Sequence, residues 1–88
     1  MTDLSEKAIA LIMWERTLAR VSQYNEKALS AERYYNSTLK LFDFDYESLS
    51  VVQSFRMAER ATVQARGWHV WKSMCDQYLT ANGWEPLP

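Results

Sequence analysis

Residues 66–79 read RGWHVWKSMCDQYL, and the glycine near the start of this stretch decides how many helices the chain makes. On a wheel of 100° per residue, Trp68, Trp71, Met74, Cys75, Tyr78 and Leu79 form one apolar half. Upstream, Val51, Val52, Phe55, Ala58 and Ala65 form another, pointing almost the opposite way. One straight helix cannot bury both halves against one neighbour, and Gly67 is the residue best able to leave helical dihedrals. The pattern therefore predicts a break at Gly67, with a second helix over about 48–66 and a third over about 68–82. Asn82-Gly83 reads as a C-cap, with Trp84 folding back on Leu79, before Pro86 and Pro88 stop the chain.

The stretch also carries the only histidine, the only cysteine, a serine and an aspartate, which raises the question of catalysis. His69, Ser73 and Asp76 share a polar face, but a hydrolytic triad needs the imidazole between hydroxyl and carboxylate, and here Ser73 stands in the middle. His69 and Cys75 lie about 120° apart on the wheel, too far round to form a nucleophile–base pair. A zinc site needs four ligands, and one His and one Cys do not supply them. No catalytic residue, metal, cofactor or small-molecule substrate is assigned. His69 is expected in solvent near Lys72 and Asp76, and Cys75 as a buried small hydrophobe. A helix-turn-helix around Gly67 also fails, because Thr62, Arg66, Ser73 and Asp76 would occupy its packing positions.

Upstream of residue 67 there is neither glycine nor proline. Trp14, Val21, Ala28, Tyr35 and Phe42 recur every seven residues, beside the series Leu4, Leu11, Leu18, Asn25, Glu32 and Leu39. A seven-residue apolar repeat of this length marks a coiled-coil-like helix, here over about 3–42 and roughly 60 Å long. Thr2 or Asp3 is placed to cap it. The alternative is a break near Ser22–Asn25 or at Ser30. Asn25 either sets register from inside the seam or reaches water, and Glu32 is expected to reach water. The acids at 43, 45 and 47 open like a calcium loop, but Ser48 and Ser54 stand where glycine and glutamate are required. Ser50 with Gln53 fits a capping box for the next helix.

The fold class expected is a single all-α domain over 1–88, with 83–88 as a short tail: a helical bundle completed by homodimerisation. Eighty-eight residues make one core, and two short helices reversing at Gly67 do not cover a 60 Å stripe. The dimer seam would be Leu4, Leu11, Trp14, Leu18, Val21, Asn25, Ala28, Tyr35, Leu39 and Phe42. Aromatics are 14% of the chain, and those left at a surface commonly mark interfaces. The function expected is a non-enzymatic protein-interaction module (an adaptor, regulator or inhibitor) with Tyr34 and Trp84 as docking candidates. The alternative is a nucleic-acid-binding accessory protein using Arg16, Arg20, Lys27, Arg56 and Arg60, which with Gln23, Gln53 and Gln64 form two ridges free of acids. A net charge of -1 gives no global field toward such a partner. The longest apolar run, Ala8 to Trp14, is far short of the roughly 20 residues a bilayer demands. With a polar start and a lone cysteine, the expected setting is cytoplasmic, without a membrane partner.

Overall fold

The computed structural model describes residues 2–84, with side chains from Ser5 onward. It contains two helices, α1 (Thr2–Leu41) and α2 (Leu49–Ala81), joined by residues 42–48. They run antiparallel as a rod of 63 × 17 × 15 Å. The pairing register is constant along it: Trp14 is level with Asp76, Tyr24 with Trp68, Asn25 with His69 and Tyr35 with Phe55.

α1 is unbroken for 40 residues, through Ser22–Asn25 and Ser30 alike. The buried residues of its seven-residue stripe are covered by α2 of the same chain. Trp14, Val21 and Leu39 are buried, as are Thr17 and Thr38 beside them. Leu11, Leu18, Asn25, Ala28 and Tyr35 are half-buried, Glu32 is exposed as expected, and Phe42 lies 40% exposed past the end of the helix. These residues were expected to pair two copies; they pack within one hairpin instead. The expected Leu4 contact, the Thr2 or Asp3 cap and the stop at Pro86 and Pro88 fall outside the described side chains and residues.

The predicted break at Gly67 is absent: α2 continues for 33 residues through it. The reason lies in a second repeat. Val51, Ala58, Ala65, Lys72 and Leu79 recur every seven residues beside Ser54, Ala61, Trp68 and Cys75, and this row faces α1. At mid-rod the inward residues are small on both sides, with Ala28 and Ala31 level with Ala61 and Ala65. The two apolar halves on either side of Gly67 are thus not both buried. α2 continues through Gly67 and leaves part of each in water, Phe55 upstream and Trp71, Met74 and Tyr78 downstream. A Cβ at Gly67 would meet nothing within 4 Å, so the glycine serves no close approach.

Both helices end in the same device. Trp84 N–H donates to Leu79 carbonyl at 2.8 Å and Gly83 N–H to Thr80 carbonyl at 3.0 Å, with Gly83 at φ 72°; this is the Schellman closure expected for Asn82-Gly83. At the tip, Phe44 N–H donates to Leu39 carbonyl at 2.7 Å and Asp43 N–H to Lys40 carbonyl at 3.3 Å, the same pattern without a glycine. Asp43 and Phe44 accordingly take left-handed φ values of 52° and 58°. The capping box at Ser50 does not form. Ser48 is the N-cap, without a side-chain bond, and Ser50 lies inside α2.

Candidate interaction surface

The polar contacts concentrate on the seam. Asp76, expected on the solvent face, accepts from Trp14 Nε1 at 2.7 Å and from Lys72 Nζ at 2.7 Å. The Lys72 ammonium, followed by the Trp14 indole, holds its carboxyl below the ordinary aspartate range, against partial burial that pushes it up. His69 Nε2 and Asn25 Oδ1 share an exposed hydrogen bond of 2.9 Å, so Asn25 reaches across to α2 of its own hairpin. Cys75 is half-buried, with Sγ 3.8 Å from Thr17 Oγ1. Asp76 thus bonds Trp14 and Lys72 rather than His69, so the triad arrangement is not assembled. Among the described residues there is no group of three His, Cys, Asp or Glu placed to hold a metal ion.

The larger feature is apolar. Beyond the seam, toward the open end of the hairpin, Ile9, Ala10 and Met13 of α1 and Trp71, Met74 and Tyr78 of α2 wall a groove of ≈ 430 Å³ floored by Cys75 and Leu79. Among the described residues its only charged wall residue is Glu6. Trp71, Met74 and Tyr78 had been expected as core of the third helix. Instead they stand 43–54% exposed, because Trp68, Cys75 and Leu79 take the inward positions. Ile9 and Met13 were missed by sequence reasoning. The available signal was that both lie off the seven-residue stripe while remaining large and apolar.

Trp71 also borders an adjoining hollow with Tyr24, Gln64, Gly67 and Trp68. There the Tyr24 and Trp68 rings stack at 5.8 Å, and the Lys27 ammonium sits 4.8 Å over the Tyr24 ring. Of the docking candidates, Tyr34 is 57% exposed, while Trp84 is half-buried edge-on to Tyr78 at 6.2 Å. Arg16, Arg20, Lys27, Arg56 and Arg60 are all exposed. A second apolar cluster, Leu41, Phe42, Phe44, Tyr46 and Leu49, stands in water at the tip.

No described helix is long and apolar enough to cross a membrane. Comparison with family models, curated proteins and solved structures finds no match for this chain.

Proposed function

We propose that the chain is a non-enzymatic interaction module, a small adaptor, regulator or inhibitor that acts as a helical homodimer and docks on another protein. The observation carrying this reading is the surface the hairpin leaves uncovered. It exposes 6898 Å², whereas a compact chain of 10.3 kDa exposes about 5,400 Å². The difference, about 1,500 Å², compares with the roughly 800 Å² each partner contributes to a standard interface. Much of what is exposed is large and apolar, gathered in the groove and, about 40 Å away, at the tip. Two separated clusters suit two engagements, one with a second copy and one with a different protein. The test is photo-crosslinking in the native host from a reactive side chain at Tyr34 or Phe44, with Glu59 as control. The reading expects adducts at the first two positions only, and a purified adduct partner that binds Phe44→Ala at least tenfold more weakly. Adducts equal at all positions, or absent, would retire it.

A second reading, nucleic-acid contact, is favoured by one observation. Lys27 lies over Tyr24, and Tyr24 and Gln64 border the same hollow, so the Arg20–Lys27 row and the Arg60–Gln64 row flank one side of the rod. No acid among the described residues borders that hollow. This reading expects DNA or RNA binding that weakens with salt and with Arg20→Gln or Arg60→Gln. A flat titration at low salt removes it.

A further inference from the structure

We propose that one flank of the rod is the docking site for a single acidic amphipathic helix of a different protein, laid in the furrow between α1 and α2. The proposal rests on the docking half of the proposed function and is independent of the homodimer.

Two rows build the flank. On α1, Met13, Arg20, Lys27 and Tyr34 recur at intervals of seven residues, and on α2 Met57, Gln64, Trp71 and Tyr78 do the same. The hairpin register sets them level in pairs: Met13 with Tyr78, Arg20 with Trp71, Lys27 with Gln64, Tyr34 with Met57. Both rows lie on the same side of the seam. Met13, Trp71 and Tyr78 wall the open-end groove, Trp71 and Gln64 border the adjoining hollow with Tyr24, and Lys27 lies over Tyr24. Steps of seven residues keep Tyr34 and Met57 on that side. Every residue of the two rows is exposed.

The opposite flank differs. Its hollow is bordered by Asn36, Glu59 and Arg66, so it carries both signs of charge. In the rows through those residues, Glu15, Ser22, Ser73 and Thr80 are exposed and polar, and Leu29 alone among the described residues is large, apolar and exposed.

The shape of the first flank selects a helix. Two walls that repeat every seven residues stay in register with a third helix of the same repeat, whereas an extended strand repeats every two. From Met13 to Tyr34 the flank runs about 30 Å, or about 21 residues of helix. The methionines point the same way. Met13, Met57 and Met74, the three among the described residues, are 45–56% exposed, and all belong to this flank, Met74 as a wall of the groove. Their flexible, polarizable side chains mould to the irregular apolar face of a docked helix.

Charge makes that helix acidic and foreign. Arg20 and Lys27 stand about 10 Å apart between the apolar ends of the flank. The one ion pair among the described residues, Lys72 with Asp76, involves neither, and Arg20 donates to uncharged Gln23 at 3.1 Å. Two copies stacked flank to flank over this length, parallel or antiparallel, crowd both cations of each into the middle with no acid to answer them. A nucleic-acid strand answers the cations but offers no aliphatic counterpart to the methionines beyond them. A helix with apolar residues toward both ends and acids at its centre answers both.

The test uses the purified full chain and two labelled synthetic peptides of about 25 residues with a heptad repeat. Both carry leucine at the docking positions of their outer turns. At the positions facing Arg20 and Lys27, one carries glutamate and the other lysine. Fluorescence anisotropy should show the glutamate peptide binding about tenfold more tightly than its lysine twin. Arg20→Glu combined with Lys27→Glu should invert that preference. Met13→Gln combined with Met57→Gln should weaken both peptides about tenfold at unchanged helicity. Arg66→Glu, on the opposite flank, should change either affinity by less than about twofold. Equal affinity for the two peptides, no binding of either, or indifference to the charge exchange overturns the inference. So does a dimer in light scattering that Met13→Gln with Met57→Gln dissociates, which gives the flank to a second copy. Tighter binding of a single-stranded RNA oligonucleotide than of the glutamate peptide overturns it too. Crosslinking from Tyr34 in the host measures docking separately: adducts there, without a preference between the peptides, would leave the docking function standing and remove the acidic helix.

Discussion

At the scale of single residues, the two glycines make opposite predictions. Gly67 lies in ordinary helical backbone with open space around it, so Gly67→Ala should stabilise the chain by about 0.5–1 kcal/mol. Gly83 holds φ 72° in the closing turn, so Gly83→Ala should destabilise it by about 1 kcal/mol. Paired thermal melts read both signs, and a loss at Gly67 would mean that the position needs its freedom after all. Asp43 does in the tip turn what Gly83 does at the far end, with a side chain that disfavours it. Asp43→Gly should therefore gain about 0.5–1 kcal/mol.

Asp76 supplies the pH dependence. Because its folded carboxyl titrates below its unfolded value of about 4, its contribution is fully present above that value. It is lost as pH falls through the lowered folded value. Its side chain is 34% exposed, so solvent screening holds the benefit to about 1 kcal/mol. Asp76→Asn should cost that much in urea melts at pH 7, and the difference from the parent chain should shrink as pH falls below the unfolded value and through the lowered folded one.

At the scale of elements, α1 was legible from its stripe and from the absence of glycine and proline before residue 67. α2 was misread at Gly67. The inward row of α2 is made of Val51, Ser54, Ala58, Ala61 and Ala65 before it reaches Trp68, and small or polar residues carry little periodic hydrophobicity. The bulkier Phe55, which stays 48% exposed, carried more weight in the wheel. Packing of this kind tolerates little change in volume. Ala65→Leu, at a position 6% exposed on the small-residue level of the seam, should cost about 1–3 kcal/mol by overpacking. Leu79→Ala, at 1% exposed, should cost about 2–5 kcal/mol by leaving a cavity. Denaturant titrations that found Ala65→Leu neutral would mean the helices are free to move apart there.

For the molecule as a whole, the sequence already implied a rod with more apolar surface than it can cover. What the sequence left open is which helix covers the stripe, because a heptad stripe states only that a partner helix exists. It does not say whether that helix belongs to the same polypeptide. The radius of gyration, 18.6 Å against about 12 Å for a compact chain of this length, expresses the elongation of the rod. The hairpin register has a kinetic corollary. Contacts near the tip join neighbours in the chain, whereas Trp14 and Asp76 at the open end are separated by 62 positions. Zippering from the tip closes ever larger loops at little additional entropy, and fraying runs in reverse. Amide exchange should therefore quicken toward the chain ends, where the groove lies. Whatever fills the groove would act as a clasp on the last part of the hairpin to close and the first to open.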